Sequence, residues 1–318
     1  MRATRYHEHG GPAVLTVDDV ERPTPADDEL LVEVRAAAVN PVDTYFREGS
    51  YEPADLPWIP GSDVAGVVAA AGDAVDGFAE GDRVFGTALG NDRPGTCAEY
   101  VATSTDRVAH LPATVDFDEG AALALVGVTA WRALVDHAGL EPGEYCLVHG
   151  GNGGVGHVAV QLAAAVGARV TTTAREEYHG RLSELGADAV LDYGRDDLVD
   201  AVRDAGAPDA VLDHRLDDYL QFDADVVAQG GRVVGIGNED VAASLENVPA
   251  ARSKEMTLTL MSMFNTPDVA AVLERLGRLA ADDAVVPVVA DSYALDEVDE
   301  AQRAVIEESF LGKLVVEP

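Results

Sequence analysis

A glycine-rich segment near the middle of the chain restricts the possible folds more than any other feature. An apolar run ends at His149, the glycines follow, and an amphipathic helix is predicted over Val155–Val166. The segment fits G-x-G-x-x-G through Gly151, Gly153 and Gly156. Glycines let the backbone turn tightly and approach a pyrophosphate, which the N-terminus of the following helix attracts. In this strand–turn–helix context the pattern predicts a dinucleotide-binding βαβ unit.

Strands and helices continue to alternate after this segment. Each predicted strand is a short apolar run, and a helical pattern follows most of them. The predicted strands are Tyr145–His149, Arg169–Ala174, Ala189–Asp192, Ala210–Asp213, Arg232–Ile236 and Thr257–Ser262. This alternation predicts an α/β fold with a doubly wound parallel sheet covered by helices.

The first 120 residues have a different pattern. Short apolar runs such as Leu30–Val39 and Val64–Ala71 are separated by Gly, Pro and Asp turns, which predicts a small β-rich domain. After residue 263 the pattern becomes mixed, with predicted helices over Asp268–Ala280 and Leu295–Glu307 and a last strand over Lys313–Glu317. A chain of 318 residues is long enough for two domains.

The charge balance excludes several classes of partner. Asp and Glu number 57 against 22 Lys and Arg, which gives a formal net charge of −35, while 47% of residues are hydrophobic. The apolar content is too high for a disordered acidic chain. Such an acidic surface repels phosphate, so we expect no nucleic-acid partner and no binding to an anionic membrane.

The basic residues are almost all arginine, because Lys254 and Lys313 are the only lysines in the sequence. Together with the acidic excess, this composition resembles that of proteins from salt-accumulating halophiles. At molar salt the Debye length is about 3 Å, so the self-repulsion is screened. We therefore expect the protein to lose structure at low salt.

The two cysteines, Cys97 and Cys146, are far apart and have no metal-binding spacing, so no disulfide framework is expected. The sequence contains no stretch of 18 apolar residues and no signal-peptide pattern after Met1. These features predict a soluble cytoplasmic protein.

The end of the second predicted Rossmann strand bears on the choice of dinucleotide. NAD sites commonly place an acidic residue there to accept a hydrogen bond from the ribose 2′-hydroxyl. Here the strand ends in threonines and Ala174, and Arg175 follows. A guanidinium can pair with a 2′-phosphate through its planar fork, which favours NADPH. The alternative is that Arg175 only balances Glu176 and Glu177 on the surface.

Several short motifs, in order along nearly the whole chain, resemble the medium-chain dehydrogenase/reductase superfamily and, within it, the zeta-crystallin-like NADPH:quinone oxidoreductases. They are Ala38–Tyr45, Pro60–Val68, Gly81–Phe85, Ala98–Tyr100, Thr129–Leu134, the glycine loop, Gly230–Val234 and Gly312–Leu314. The resemblance implies a GroES-like catalytic domain from residues 1–122 and 264–318 and a Rossmann NADPH-binding domain from 123–263. It also implies a homodimer or homotetramer joined through the Rossmann domains.

Zinc alcohol dehydrogenases of this superfamily place Cys, His and Glu at the positions that Asn40, Ser62 and Asp63 occupy here. This set lacks the thiolate and imidazole that zinc prefers, and the four-cysteine structural zinc lobe is missing too. The resemblance therefore implies a zinc-independent enzyme, and we expect no metal site.

Hydride transfer from NADPH to a conjugated small-molecule acceptor, a quinone or an enone, is the reaction the resemblance implies. Tyr45 and Asn40 are the expected catalytic residues: Tyr45 as a donor to the acceptor oxygen, Asn40 as a hydrogen-bonding partner of substrate or ribose. The alternative for Tyr45 is a packing aromatic. The expected cofactor contacts are Thr129, Gly150, Gly151, Asn152, Gly153, Gly154, Val155, Gly156, Arg175, Tyr193, Gly235, Ile236, Gly237, Asn238, Ser262, Met263 and Phe264.

Two other functions stay open at the level of sequence. One is reduction of a 2-enoyl thioester or another alkene, because such enzymes share a zinc-free site. The other is a non-catalytic NADPH-binding protein. The identity of the acceptor depends on the shape of its pocket, which these motifs do not specify. Absence of activity with either a quinone or a thioester would favour the non-catalytic function.

Overall fold

The computed structural model describes residues 1–51 and 55–318, and these form two compact units. The first unit comprises Met1–Val128, Pro267–Asp283 and Pro287–Pro318, and the second comprises Thr129–Thr266 and Ala284–Val286. The units change after Val128 and after Thr266, and the domain boundaries predicted after residues 122 and 263 lie a few residues before these two points.

The first unit is built around a seven-stranded sheet in the order β14-β15-β3-β4-β5-β7, with β6 paired to β3, and a separate β1–β2 hairpin. Its strands are β1 (Arg2–Tyr6), β2 (Leu15–Asp19), β3 (Glu29–Ala38), β4 (Val64–Ala71), β5 (Arg83–Gly86), β6 (Tyr100–Ser104), β7 (Val108–His110), β14 (Val289–Ala294) and β15 (Lys313–Glu317). Strand β3 pairs antiparallel with β4, β6 and β15. The last strand of the chain is thereby joined to one of the first.

Helix α1 (Pro41–Glu48) follows β3 directly. Asn40 is its N-cap, Pro41 is preset for the first helical position, and Gly49 ends the helix in the left-handed region at φ 86°. The other helices of the unit are α2 (Phe117–Trp131), whose last turn crosses the unit boundary, α8 (Val269–Ala281) and α9 (Val298–Glu307). The core contains Val32, Val64 and Leu314, so residues from both ends of the chain are buried together.

The second unit is a six-stranded parallel sheet in the order β10-β9-β8-β11-β12-β13. Its strands are β8 (Tyr145–Val148), β9 (Arg169–Thr173), β10 (Ala189–Leu191), β11 (Ala210–Asp213), β12 (Arg232–Gly235) and β13 (Thr257–Leu260). Its helices are α3 (Gly154–Val166), α4 (His179–Glu184), α5 (Leu198–Ala205), α6 (Leu216–Val226) and α7 (Val248–Ser253). This is the Rossmann strand order, and ligands of such sheets bind at the carboxyl ends of the strands where the order reverses, here between β8 and β11. The predicted fold class is confirmed.

Residues Arg132–His137 continue α2 as a turn of π-helix. No helix among the described residues is both long enough and apolar enough to span a bilayer.

Candidate active site

The glycine loop lies at the carboxyl end of β8 and is fastened to the neighbouring strand β9. The Gly150 N–H donates to Thr173 Oγ1 at 3.0 Å, and the Gly151 N–H donates to the Thr173 carbonyl at 2.8 Å. Gly150 adopts φ +66°, which favours glycine. A Cβ at Gly151 would lie only 2.2 Å from Thr172 Oγ1. The loop therefore needs glycine both for its turn and for its contact with β9.

The loop leads into the N-terminus of α3. Its N-cap, Gly153, has no side chain to cap the helix, and a Cβ at Gly156 would lie 2.0 Å from the Gly150 carbonyl oxygen. The first N–H groups of a helix have no partner within it, and they carry the positive end of the helix dipole. Because Gly153 supplies no side-chain cap, these groups suit an anion, and the loop fits the pyrophosphate of a dinucleotide.

Arg175 and Tyr193 follow the carboxyl ends of β9 and β10, and their side chains are bonded to each other. Arg175 Nε donates to the Tyr193 hydroxyl at 2.8 Å, and both side chains are exposed. This hydrogen bond is the largest cause of a raised Arg175 pKa. The sequence predicted both residues as cofactor contacts, and the structure brings them together at adjacent strand ends.

The predicted segment Gly235–Asn238 follows β12. A Cβ at Gly237 would lie 2.6 Å from the His214 carbonyl oxygen, so this segment packs closely on the end of β11. Asp217, in the first turn of α6, accepts hydrogen bonds from the N–H groups of Glu239 and Asp240, each at 3.0 Å. Asp217 therefore holds the loop after β12 in place, a role that the sequence did not reveal.

The remaining predicted cofactor contacts lie elsewhere in the second unit. Ser262, Met263 and Phe264 follow β13, and Arg132 Nη1 donates to the Ser262 carbonyl at 3.0 Å. Thr129 is buried near the end of α2. All seventeen predicted cofactor residues thus belong to the second unit, and most lie at or beyond the carboxyl ends of its strands. Their contact with a cofactor stays a prediction.

A buried cluster that the sequence did not indicate lies directly behind the glycine loop. His149 Nε2 is 2.8 Å from Asp223 Oδ1, and both side chains are fully buried. The His149 ring stacks on Tyr219, with 4.3 Å between ring centroids. Burial lowers the pKa of His149 to about 4 and raises the pKa of Asp223 to about 8. Burial, followed by the charge of Asp223, raises the pKa of Asp213 to about 7.

In the first unit, Asn40 lies in a second buried polar cluster. Its Nδ2 donates to Asp63 Oδ2 at 2.8 Å, and its Oδ1 accepts from Lys313 Nζ at 2.5 Å. Asp63 Oδ1 also accepts from the Leu125 N–H at 2.9 Å. Asn40, Asp63 and Lys313 are at most 3% exposed. The predicted catalytic amide is therefore fully engaged by protein groups.

The same cluster includes the first turn of α1. Asp43 Oδ2 accepts from the Asn40 N–H at 2.8 Å, and Asp43 Oδ1 accepts from the Ser62 hydroxyl at 2.7 Å. Burial raises the pKa of Asp43 to about 6 and also raises the pKa of Asp63. Burial lowers the pKa of Lys313, against the pull of Asp63 and Asp43.

Tyr45, the other predicted catalytic residue, is in the second turn of α1, and its side chain is 37% exposed. Its ring lies 6.4 Å from that of Tyr51, centroid to centroid. Helix α1 thus carries both predicted catalytic residues, with Asn40 buried at its start and Tyr45 at the surface. Their roles in catalysis stay predictions.

The positions that match zinc ligands in relatives form hydrogen bonds within this cluster instead. Asn40 bonds to Asp63, and Ser62 bonds to Asp43. Over residues 1–51 and 55–318, no group of three or more His, Cys, Asp or Glu side chains is arranged to hold a metal ion.

Comparisons with known proteins agree with this architecture. The family model for the alcohol dehydrogenase GroES-like domain matches residues 26–113, and the model for zinc-binding dehydrogenases matches residues 185–316. Human quinone oxidoreductase is 35% identical over 330 residues, which covers 99% of this chain and 97% of that protein.

Solved structures of the same superfamily have the same fold over the full length of the chain. An NAD-dependent alcohol dehydrogenase superposes with a TM-score of 0.93 at 32% identity, over the full length of both chains. Escherichia coli quinone oxidoreductase, solved in complex with NADPH, superposes with a TM-score of 0.90 at 28% identity, again over both full lengths. Fold and glycine loop define a medium-chain dehydrogenase/reductase. Within that superfamily, the chain belongs to the zeta-crystallin-like quinone oxidoreductase family.

Proposed function

We propose that the protein is a zinc-independent, NADPH-dependent quinone reductase. The observation that carries this proposal is the glycine loop, fastened to β9 and opening onto an uncapped helix N-terminus, in a chain that matches a quinone oxidoreductase over 99% of its length. When bound, the dinucleotide supplies the hydride. The protein supplies its position and the groups that face charge developing on the acceptor oxygen.

Tyr45 is the proposed proton donor to that oxygen. A phenol hydroxyl can donate a hydrogen bond to an enolate-like oxygen, and Tyr45 is sufficiently exposed to meet a small molecule. The buried Asn40 amide already bonds to Asp63 and Lys313, which favours a role in fixing the start of α1 over direct contact with an acceptor.

The test of the reaction uses NADPH oxidation at high salt with two acceptors, 9,10-phenanthrenequinone and a crotonyl thioester. Turnover of the quinone supports the proposal, and turnover of the thioester alone would assign the protein to the alkene reductases. Tight NADPH binding with neither activity would favour a non-catalytic binding protein. Tyr45→Phe should lower kcat more than it changes cofactor affinity, and unchanged kinetics would refute the acid role.

NADPH is the proposed dinucleotide because Arg175 offers its guanidinium at the end of β9, held there by Tyr193. Arg175→Ala should raise the KM for NADPH at least tenfold and leave the KM for NADH nearly unchanged. Arg181→Ala is the matched control, because Arg181 is an exposed arginine on α4 that pairs with Glu184. Equal effects of Arg175→Ala on both cofactors would contradict the assignment.

We propose that the protein forms a homodimer, or a homotetramer made of two such dimers, through β13. This strand ends the parallel sheet, and Leu258 and Leu260 on it are 38% and 71% exposed. Unpaired edge strands readily pair with a second copy. Light scattering after size exclusion should give a multiple of the 33.3 kDa chain mass that Leu260→Lys reduces. A monomeric wild type would overturn the proposal.

We further propose that the protein works in a salt-rich cytoplasm. The net charge of −35 supports the high salt, and the free thiols Cys97 and Cys146 suit a reducing compartment. An unchanged circular dichroism spectrum after dialysis to millimolar salt would contradict the first part. Recovery of the protein outside the cytoplasmic fraction would contradict the second.

A further inference from the structure

Lys313 is a buried cation that the proposed reaction does not use. It lies on the last strand and is only 3% exposed. It is one of only two lysines in the chain. Its ammonium donates to the Val39 carbonyl and, at 2.5 Å, to Asn40 Oδ1. Burying an ammonium group is unfavourable unless partners replace its water. The contacts of Lys313 therefore show what it holds in place.

The first group it holds is the side-chain amide of Asn40. The amide oxygen faces the ammonium, while Nδ2 faces Asp63 Oδ2 at 2.8 Å and the Ala38 carbonyl at 3.3 Å. A flipped amide would bring its N–H groups against the ammonium and its oxygen against a carboxylate. Lys313 and Asp63 together therefore allow one orientation of Asn40.

The orientation of Asn40 is coupled to the first turn of α1. Asn40 is the N-cap, and its backbone N–H donates to Asp43 Oδ2 at 2.8 Å in a capping box. Asp43 is fixed in turn by the Ser62 hydroxyl at 2.7 Å. Tyr45 follows Asp43 by two residues. A contact made 273 residues away in sequence thus orients the start of the helix that carries Tyr45.

We propose that Lys313 is a positioning residue of the reductase, which fixes the first turn of α1 through Asn40 and Asp63 and so places Tyr45. This inference rests on the proposed function of Tyr45 as proton donor. Lys313 itself need not touch the substrate or the cofactor.

The first test measures backbone hydrogen exchange of peptides covering residues 40–48 by mass spectrometry. Lys313→Met removes the charge and keeps an unbranched chain, and the amides of α1 should exchange at least tenfold faster. Lys254→Met is the matched control, because Lys254 bonds to the carbonyls of Ala224 and Asp225 in the second unit. Unchanged exchange over residues 40–48 in Lys313→Met would overturn the proposal.

The double variant Lys313→Met/Asp63→Asn separates charge balance from packing. With both charges removed, the Asn40 amide can reverse, and its oxygen can accept from the new side-chain amide at position 63. Exchange over residues 40–48 should return to within about threefold of wild type. A double variant no better than the single one would overturn the proposal. If Lys313→Met alone does not fold, recovery of folded protein in the double variant supports it, and failure to recover contradicts it.

The second test links Lys313 to Tyr45. Lys313→Met should lower kcat at least tenfold, with the Kd for NADPH from fluorescence titration unchanged within twofold. In a Tyr45→Phe background the same change should lower kcat less than twofold further, because residues acting as a unit are not additive. A full tenfold drop in that background would overturn the link. If Tyr45→Phe alone leaves kcat unchanged, the proposed proton donor is refuted, and the exchange result decides the structural role of Lys313.

Discussion

The two units of the molecule each bury a cluster of ionisable side chains, and the clusters balance their charge in different ways. In the first unit Asp43 and Asp63 are buried near the ammonium of Lys313, which attracts both carboxylates and bonds to the side chain of Asn40. In the second unit Asp213 and Asp223 are buried with His149, whose low pKa makes it neutral above about pH 4. In the first cluster a buried ammonium offsets the negative charge of the carboxylates. In the second cluster the negative charge is reduced by protonation of a carboxyl group. Their responses to mutation and to pH should therefore differ.

We infer the place of the proton in the second cluster from two oxygens that have no partner in the described part of the chain. The Oδ2 atoms of both Asp213 and Asp223 are buried and lack any partner among N–H and O–H groups of the described residues. Two carboxylate oxygens satisfy each other only when one carboxyl is protonated, and the raised pKa values of this pair agree with a shared proton. Removing that proton at high pH leaves two buried like charges behind the glycine loop.

The largest effect should come from breaking the cation-balanced cluster. Lys313→Met leaves Asp43 and Asp63 buried without the nearby positive charge, and buried charges left uncompensated in this way cost about 3–5 kcal/mol. Denaturant unfolding at fixed high salt measures the loss, with Lys254→Met as the control at under about 1 kcal/mol. A loss below about 1 kcal/mol for Lys313→Met would show that the two clusters do not differ as described.

The next effect concerns pH and the proton-balanced cluster. The folded pKa of Asp223, about 8, is above its unfolded value, so the folded state holds an extra proton and stability falls as pH rises toward 8. Between pH 6.5 and 8 we expect the wild type to lose about 1–2 kcal/mol of unfolding free energy through this pair. Unfolded His149 still gives up about half a proton above pH 6.5 while folded His149 is already neutral, so it opposes this trend by only about 0.4 kcal/mol.

Asp223→Asn should remove that slope. The new amide N–H can donate to Asp213 permanently, as the shared proton does in the wild type, while the amide oxygen still faces His149. The variant should be more stable than the wild type at pH 9 and of similar stability at pH 6. Parallel stability curves for the two proteins, measured by urea unfolding across this range, would refute the shared proton.

The sequence predicted local features of the fold and site better than distant ones. Apolar periodicity and the glycine spacing predicted the strands around β8 and the loop at its end, because those signals lie within about 20 residues. The contact of Lys313 with Asn40 joins residues at opposite ends of the chain, and no local pattern reports it. Asn40 is predicted from the sequence as a catalytic residue and Lys313 lies in a motif at the other end of the chain, but nothing in the sequence pairs the two.

The second cluster shows another limit of the sequence. In the sequence His149 ends an apolar run before the glycine loop, and Asp223 is one of 57 acidic residues with nothing to distinguish it. Their 2.8 Å contact depends on how α6 packs behind β8, which composition cannot reveal. Thr172 and Thr173 offer a usable signal, because threonines at the end of a buried strand can bond the backbone of a neighbouring strand or loop, here Val148 and Gly150.

A smaller effect should follow from replacing the histidine of the proton-balanced cluster. His149→Gln keeps one hydrogen-bonding group toward Asp223 and loses the stacking on Tyr219, for a cost of about 1–2 kcal/mol. Because folded His149 is neutral and the unfolded imidazole contributes only about 0.4 kcal/mol over this range, the fall in stability between pH 6.5 and 8 should stay close to that of the wild type. Loss of that fall in the same urea series would mean that the imidazole carries the charge assigned to the carboxyl pair.

The smallest effect concerns salt, which should act on the acidic surface and leave the buried cluster around Lys313 unaffected. Raising salt from 0.5 to 3 M should stabilise the wild type, since it screens the repulsion among surface carboxylates that gives the chain its charge of −35. Lys313 and Asp63 are shielded from ions by burial, so the stability lost in Lys313→Met should be the same at both salt concentrations within about 0.5 kcal/mol. Unfolding curves of both proteins at each concentration give this difference. A loss that shrinks steadily with salt would mean that ions reach the cluster, and that the first unit is not closed around its cation.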